Sequence, residues 1–209
     1  MAAGHNGGKT MGDIEFFFFD PSQPVRHLSG NLPHWRQEGV GYFVTFRLAD
    51  SIPQDKLRQW QEEKALWLKR NPAPHTPEQV REFWHLFPEQ FHRWLDAGYG
   101  ACVLGKRPVA EFLHGVLRHF DGQRYDLGAH VVMPNHVHAV VTPQPGFDLS
   151  GILHTWKSYS ANRINAIVGR GGALWQKESF DHIVRSPEQL ERINAYIRDN
   201  PKAKPTGET

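Results

Sequence analysis

The stretch VVMPNHVHAVV, residues 131–141, decides how this chain is built. Two runs of β-formers, residues 124–133 and 136–142, flank a Pro134-Asn135 turn signal, and together they predict an antiparallel hairpin. Upstream, YFVTFRL from Tyr42 to Leu48 has the composition and alternation of another strand. Three helical patterns lie between. Leu57, Trp60, Lys64 and Trp67 recur at helical spacing after Pro53. Val80, Phe83, Trp84, Phe87, Phe91 and Trp94 form a broad stripe after Thr76-Pro77, with Pro88 expected to kink or split it, and an aromatic stripe of this kind predicts core. Pro108 to Phe120 carries an apolar face that Asp121-Gly122 stops.

Downstream, a helix from about Leu149 to Val168 is stopped by Gly169, and Phe180 to Val184 is a short strand. Ser186-Pro187-Glu188-Gln189 then combines an N-cap serine, a first-turn proline and a glutamine placed for a capping box, opening a last helix that Pro201 ends. This order predicts an α+β fold: a central antiparallel sheet of four or five strands flanked by helices, in the manner of a ferredoxin-like or RRM-like palm, with residues 52–106 as a helical insertion after the first strand. Residues 1–36 read as an N-terminal tail lying partly on the body, 37–201 as a single domain and 202–209 as a C-terminal tail.

Composition narrows the function classes. A chain of 209 residues with 39% hydrophobic and 22% charged side chains can bury a substantial core. Its longest conspicuous apolar run, Phe16 to Phe19, is far shorter than the roughly 20 residues of a spanning helix, and no secretory layout opens the chain, so no membrane partner and a cytoplasmic location are expected. The one cysteine, Cys102, excludes a disulfide framework and a multi-cysteine zinc site. A formal charge of +2 is too mild to announce a nucleic-acid binder. Its distribution says more, because Lys157, Arg163, Arg170 and Lys177 fall in a stretch from His154 to Lys177 that contains no acidic residue. That stretch is either a solvated helix face or a phosphate-binding surface.

His136 and His138 are two apart on a strand, so both imidazoles face the same way and can chelate a cation. The pair alone is a weak signal in a chain with 13 histidines. It could be incidental, or half of a zinc site completed by His182, His130 or a carboxylate. Two tyrosines are near in pattern: Tyr159 in WKSYSAN, among Lys157 and Arg163, and Tyr196 in INAYIRDNP, with Asn200 one helical turn on. Pro201 disfavours helical geometry at Asn200 and is expected to fray it.

Taken in order, YFVTFRLAD, VVMPNHVHAVV, WKSYSANRIN, LWQKESFDHIVRS and AYIRDNP resemble the REP-associated tyrosine transposases, members of the single-tyrosine HUH transposases of bacterial insertion sequences. The resemblance runs from about residue 31 to 201, and His136, Val137 and His138 match the family's His-hydrophobic-His motif. It implies Tyr196 as the catalytic nucleophile on a C-terminal helix, with an amide ligand one turn later at Asn200 beside His136 and His138. It also implies a covalent 5′-phosphotyrosine, and single-stranded DNA bearing an imperfect palindromic hairpin as partner.

A cation held by His136, His138 and Asn200 would polarise a phosphate oxygen. Mg²⁺ is expected by abundance and Mn²⁺ by ligand type, with no nucleotide cofactor, because a phosphotyrosine conserves the bond energy for rejoining. Lys157, Arg163, Arg170 and Lys177 are the candidates for DNA phosphate contacts. A homodimer and a monomer both fit such a family. A hairpin-binding protein without cleavage and a zinc hydrolase are the rival readings.

Overall fold

The computed structural model describes residues 10–11, 14–28, 34–72 and 74–200. Four strands form the main sheet: β5 (Tyr42–Arg47), β6 (Tyr125–Val132), β7 (His136–Pro143) and β8 (Phe180–Ile183), in the order β6-β7-β5-β8 with every neighbouring pair antiparallel. That order and alternation are those of a ferredoxin-like palm, so the expected α+β architecture holds. Shorter strands precede it: β1 (Thr10–Met11) pairs with β2 (Ile14–Glu15), and β3 (Arg26–Leu28) with β4 (His34–Arg36). The segment before residue 37 therefore carries paired strands that the sequence, lacking a sustained period there, did not announce. Part of it lies on the sheet. Phe16 is buried over Gly41, where a Cβ would overlap its ring. The C-terminal tail and Pro201 lie outside the described residues.

Among the described residues six α-helices complete the fold: α1 (Gln54–Arg70), α2 (Pro77–Trp84), α3 (Gln90–Asp96), α4 (Arg107–Arg118), α5 (Leu149–Val168) and α6 (Pro187–Asp199). The first three make the insertion. Thr76 opens α2 with a reciprocal capping box, its Oγ1 accepting from Gln79 N at 3.3 Å while Gln79 Oε1 accepts from Thr76 N at 2.9 Å. Pro88 does split the stripe: residues 85–89 form a wider π-helical turn, which accommodates a residue without an N–H, and α3 follows directly. Ser186 caps α6 as expected, but Gln189 reaches back one residue further than a capping box requires, to the N–H of Arg185 at 2.7 Å.

The sheet has two unequal faces. Val44, Phe46, Val137, Ala139 and Val141 point toward α4 and α5 and form the main core with Leu113, Leu117, Trp156 and Ile164. Trp156 and Trp175 are both buried there, so neither is placed to stack a base. The alternate residues of the strands point to the other face. There Phe43 and Val140 pack with Val184, Ile193, Ile197 of α6 and Phe16. This alternation puts His136 and His138 under α6. Among the described residues no helix is long and apolar enough to cross a membrane.

Candidate active site

Both histidines are fully buried on the face covered by α6. Asn135, also fully buried, donates from Nδ2 to the Tyr99 carbonyl at 3.0 Å, which leaves its Oδ1 to accept from His136 Nδ1 at 2.7 Å. The proton of His136 is thereby held on Nδ1, and Nε2 presents a lone pair. Across the sheet Thr45 Oγ1 lies 2.7 Å from His138 Nδ1, and the two Nε2 atoms face each other at 2.9 Å. Thr45 is paired with His138 in the β5–β7 register, so the strand pairing itself sets this contact.

Two facing imidazole nitrogens need a proton or a cation between them. Burial first, then the neighbouring His136 and His92, push the His138 pKa well below its usual value, which keeps the ring neutral and a competent ligand at neutral pH. Asp96, at the end of α3, brings a third donor: its Oδ1 is 3.7 Å from His136 Nε2, and ligand atoms of Asp96, His136 and His138 all lie within 4.8 Å of one another. Two imidazoles and a carboxylate fit a divalent cation such as Mn²⁺ or Mg²⁺. His182 is not part of this cluster; it lies against Phe43 and Phe180. His130 contacts His114.

Tyr196 projects from the flank of α6 into the same space. Its hydroxyl is 3.2 Å from His138 Nε2 and 3.4 Å from Asp96 Oδ2, and the Asn200 side chain lies against it. Burial, and next the Asp96 charge, raise the hydroxyl's pKa well above its ordinary value near 10. Tyr159, the other contender, is 64% exposed on α5, across the sheet from the histidines. Asn200 is buried and helical, with its N–H bonded to the Tyr196 carbonyl, so the expected fraying before Pro201 does not occur. Its amide Nδ2 is buried without an acceptor among the described residues; turned over, the amide would present oxygen there instead.

The four basic candidates separate. Lys157 points inward, donating to the Lys177 carbonyl at 2.7 Å and to Ser179 Oγ at 3.3 Å, and burial lowers its pKa to about 8. Arg170 lies 3.9 Å from the Asp50 carboxylate. Arg163 and Lys177 are exposed. Three residues of the site escaped sequence reasoning, Asp96, Asn135 and Thr45, the last known only as one position of the first strand. Asp96 lies 40 positions before the histidines, on a helix with no motif of its own. Asn135 was read only as a turn residue, though its amide next to His136 was a signal available in the sequence.

The family described as transposase, IS200-like, matches residues 92–200, just over half of the chain, a span that takes in Asp96, Asn135, His136, His138, Tyr196 and Asn200. The chain belongs to the IS200-like transposases. Solved structures similar to this transposase-family chain include a REP-associated tyrosine transposase bound to a REP hairpin, 17% identical over 84% of this chain and 73% of the other, with a TM-score of 0.48. A protein of Deinococcus radiodurans R1 assigned as a transposase is 18% identical over 79% of this chain and 93% of its own, with a TM-score of 0.40. No curated protein matches.

Proposed function

We propose that this transposase-family protein is a divalent-metal-dependent HUH-type enzyme that nicks and rejoins single-stranded DNA at palindromic, REP-like hairpins through a covalent 5′-phosphotyrosine on Tyr196. The observation that carries the reading is the position of the Tyr196 hydroxyl, 3.2 Å from His138 within the His136–His138–Asp96 cluster. His136, His138 and Asp96 would hold the cation, with Asn200 beside them. When bound, it supplies charge neutralisation and polarisation of the scissile phosphate.

The side chains account for the rest. Asn135 and Thr45 hold the imidazoles in orientation through their Nδ1 atoms. Burial keeps the Tyr196 phenol protonated until substrate arrives, which protects the nucleophile from ionising idly. On attack the Tyr196 Oη–phosphorus bond forms and the phosphorus–O3′ bond breaks. The phenolic proton leaves toward Asp96 Oδ2, 3.4 Å away, and the departing 3′ oxygen takes a proton back from that carboxyl to become a free 3′-OH. Rejoining reverses these changes without a nucleotide cofactor. Single-stranded DNA suits a nucleophile recessed on a helix flank, where a phosphate within a paired duplex is hard to bring into line. Arg163 and Lys177, exposed, are the phosphate contacts this reading favours, whereas Lys157 and Arg170 would have to give up partners within the chain. Residues 37–201 act as one domain, in the cytoplasm.

The test is incubation with single-stranded oligonucleotides carrying the palindromes that flank the protein's own gene, with Mg²⁺ or Mn²⁺. A detergent-resistant protein–DNA adduct is expected, lost with EDTA and in a His136→Ala, His138→Ala double variant that still binds the hairpin. A double variant that nicks at the parental rate would sink the proposal, and hairpin binding with no adduct in the parent would assign the chain to binding alone.

A further inference from the structure

On the face of the sheet opposite the candidate active site, His114 of α4 meets His130 of β6. The meeting depends on a bulge. Leu127 is paired with Val141 and His130 with Ala139, so β6 spends one residue more than β7 over this stretch. Without the extra residue His130 would stand opposite His138; with it, the alternation of side chains turns His130 to the face of α4. Ala139 accordingly belongs to the core beneath α4 and α5. Gly128 suits the bulge, since a Cβ there would come within 3.1 Å of the Val140 side chain.

The two rings are prepared as ligands. His130 Nδ1 lies 3.0 Å from the Gly128 carbonyl, which can only accept, so this nitrogen carries the proton and Nε2 keeps a lone pair. A backbone carbonyl on the far nitrogen is the usual support of a metal-bound imidazole. His114 Nδ1 is buried with no partner among the described residues, a condition that a native polar atom rarely shows. Burial first, then His130 and Arg118, lowers the His114 pKa, which keeps this ring neutral at neutral pH. No hydrogen bond joins the two rings, whereas His136 and His138 face each other at 2.9 Å, so a shared proton does not hold them. Their centroids are 5.5 Å apart. Two imidazoles on one tetrahedral ion, with bonds of about 2.0–2.1 Å, have centres roughly 5 Å apart. Both residues are half-buried, which leaves a path from solvent.

We infer that His114 Nδ1 and His130 Nε2 form a second metal site, separate from the His136–His138–Asp96 cluster, that takes an imidazole-preferring divalent ion such as Zn²⁺. Mg²⁺ is excluded here, because it demands oxygen ligands and the pair offers none. Among the described residues no third His, Cys or carboxylate joins the pair, and water completes the shell. Glu111, one turn earlier on α4, is held by Arg107 at 2.7 Å. Arg118, one turn later, opposes the ion, but it is exposed and its charge is screened. The ion ties the middle of α4 to β6, the edge strand of the hairpin whose other strand carries His136 and His138. The site stands on its own observations and does not depend on the strand-transfer reading.

The test titrates the full chain with Zn²⁺ by calorimetry, in the parent and in His114→Gln and His130→Gln, each checked for parental circular dichroism. Either variant should bind one equivalent fewer than the parent, and both should keep the parental Mn²⁺ titration, which reads the other cluster. The converse holds in the His136→Ala, His138→Ala double variant, where one zinc equivalent should remain and should disappear when His130→Gln is added. Hydrogen exchange gives a second reading that needs no change at the candidate active site. Zn²⁺ should slow exchange at the amides of residues 110–118 and 127–132 in the parent and leave them unchanged in His130→Gln. Equal zinc stoichiometry in the parent and both single variants overturns the site, as does zinc protection of these segments that survives in His130→Gln. Zinc binding lost entirely from the double variant, with its circular dichroism intact, assigns all of the zinc to the other cluster and also overturns it.

Discussion

Replacing Tyr196 by Phe removes one oxygen atom from the centre of the proposed site and little else. The ring keeps its contacts with His138 at 5.1 Å, His92 at 6.2 Å and Phe43 at 6.4 Å. What is lost are the hydroxyl's contacts with His138 Nε2, Asp96 and Asn200. A protein hydrogen bond contributes a net of about 1 kcal/mol, and these are long, with the Asp96 side chain itself 36% exposed to replacement water. The stability cost should therefore stay below about 1.5 kcal/mol, a fall in Tm of no more than roughly 6 °C for a chain of this size. Removal of the nucleophile should lower adduct formation by a factor of at least about a thousand. Denaturing electrophoresis of the adduct and thermal melts of the same preparations measure both quantities. In the parent, mass spectrometry should place the 5′-phosphate on the peptide containing Ala195-Tyr196-Ile197. An adduct that persists in Tyr196→Phe, or one mapped to the peptide containing Tyr159, refutes the reasoning; so does a Tm loss well beyond the expected range, which would make Tyr196 a packing residue.

Asp96→Asn should weaken Mn²⁺ binding roughly 10- to 100-fold by calorimetry, and should bring the Tyr196 hydroxyl pKa down, since the Asp96 charge now raises it; an unchanged Mn²⁺ affinity would remove Asp96 from the ligand set. Burial holds the folded-state pKa of both His92 and His182 at about 4, below the usual 6.5, so the unfolded chain binds more protons than the folded one between those values. Stability should be full above pH 6.5 and fall as the pH drops, by about 2 kcal/mol per histidine at pH 5, which urea unfolding at pH 7.5 and 5 can detect. Arg163→Ala and Lys177→Ala should each lower the salt dependence of hairpin binding by about one in log–log slope, and unchanged slopes in both would take these residues out of the interface.

What the sequence discloses and what it withholds divide along a physical line. The hairpin around Pro134-Asn135, the shared face of His136 and His138 and the one-turn spacing of Tyr196 and Asn200 are properties of local periodicity, and a strand period of two or a helical turn carries them directly. Asp96 is different. Nothing within its own helix distinguishes it from a solvated carboxylate, and only the docking of the insertion against the sheet brings it to the histidines. The same docking decides that Phe83 and Phe91 line a cavity, and the approach of α5 to the segment 177–179 turns Lys157 inward while Arg163, six residues on, stays in solvent. A stripe or a basic run states which residues share a face, never what that face meets.

The division of the sheet into two faces sets how firmly each half of the molecule is tied down. On one side α4 and α5 share a continuous core with the strands, and detaching either would expose Leu113, Leu117, Trp156 and Ile164 together. On the other side α6 is anchored by Ile193 and Ile197, with Leu190 and Tyr196 partly covered, so lifting it forfeits on the order of 5 kcal/mol of apolar burial and leaves the main core untouched. The helix carrying Tyr196 is thus easier to release from the sheet than α4 or α5. Under the proposed chemistry, a phosphotyrosine formed there would be a DNA end attached to an element more separable than the α4–α5 layer, able to travel with α6 while the sheet keeps its shape.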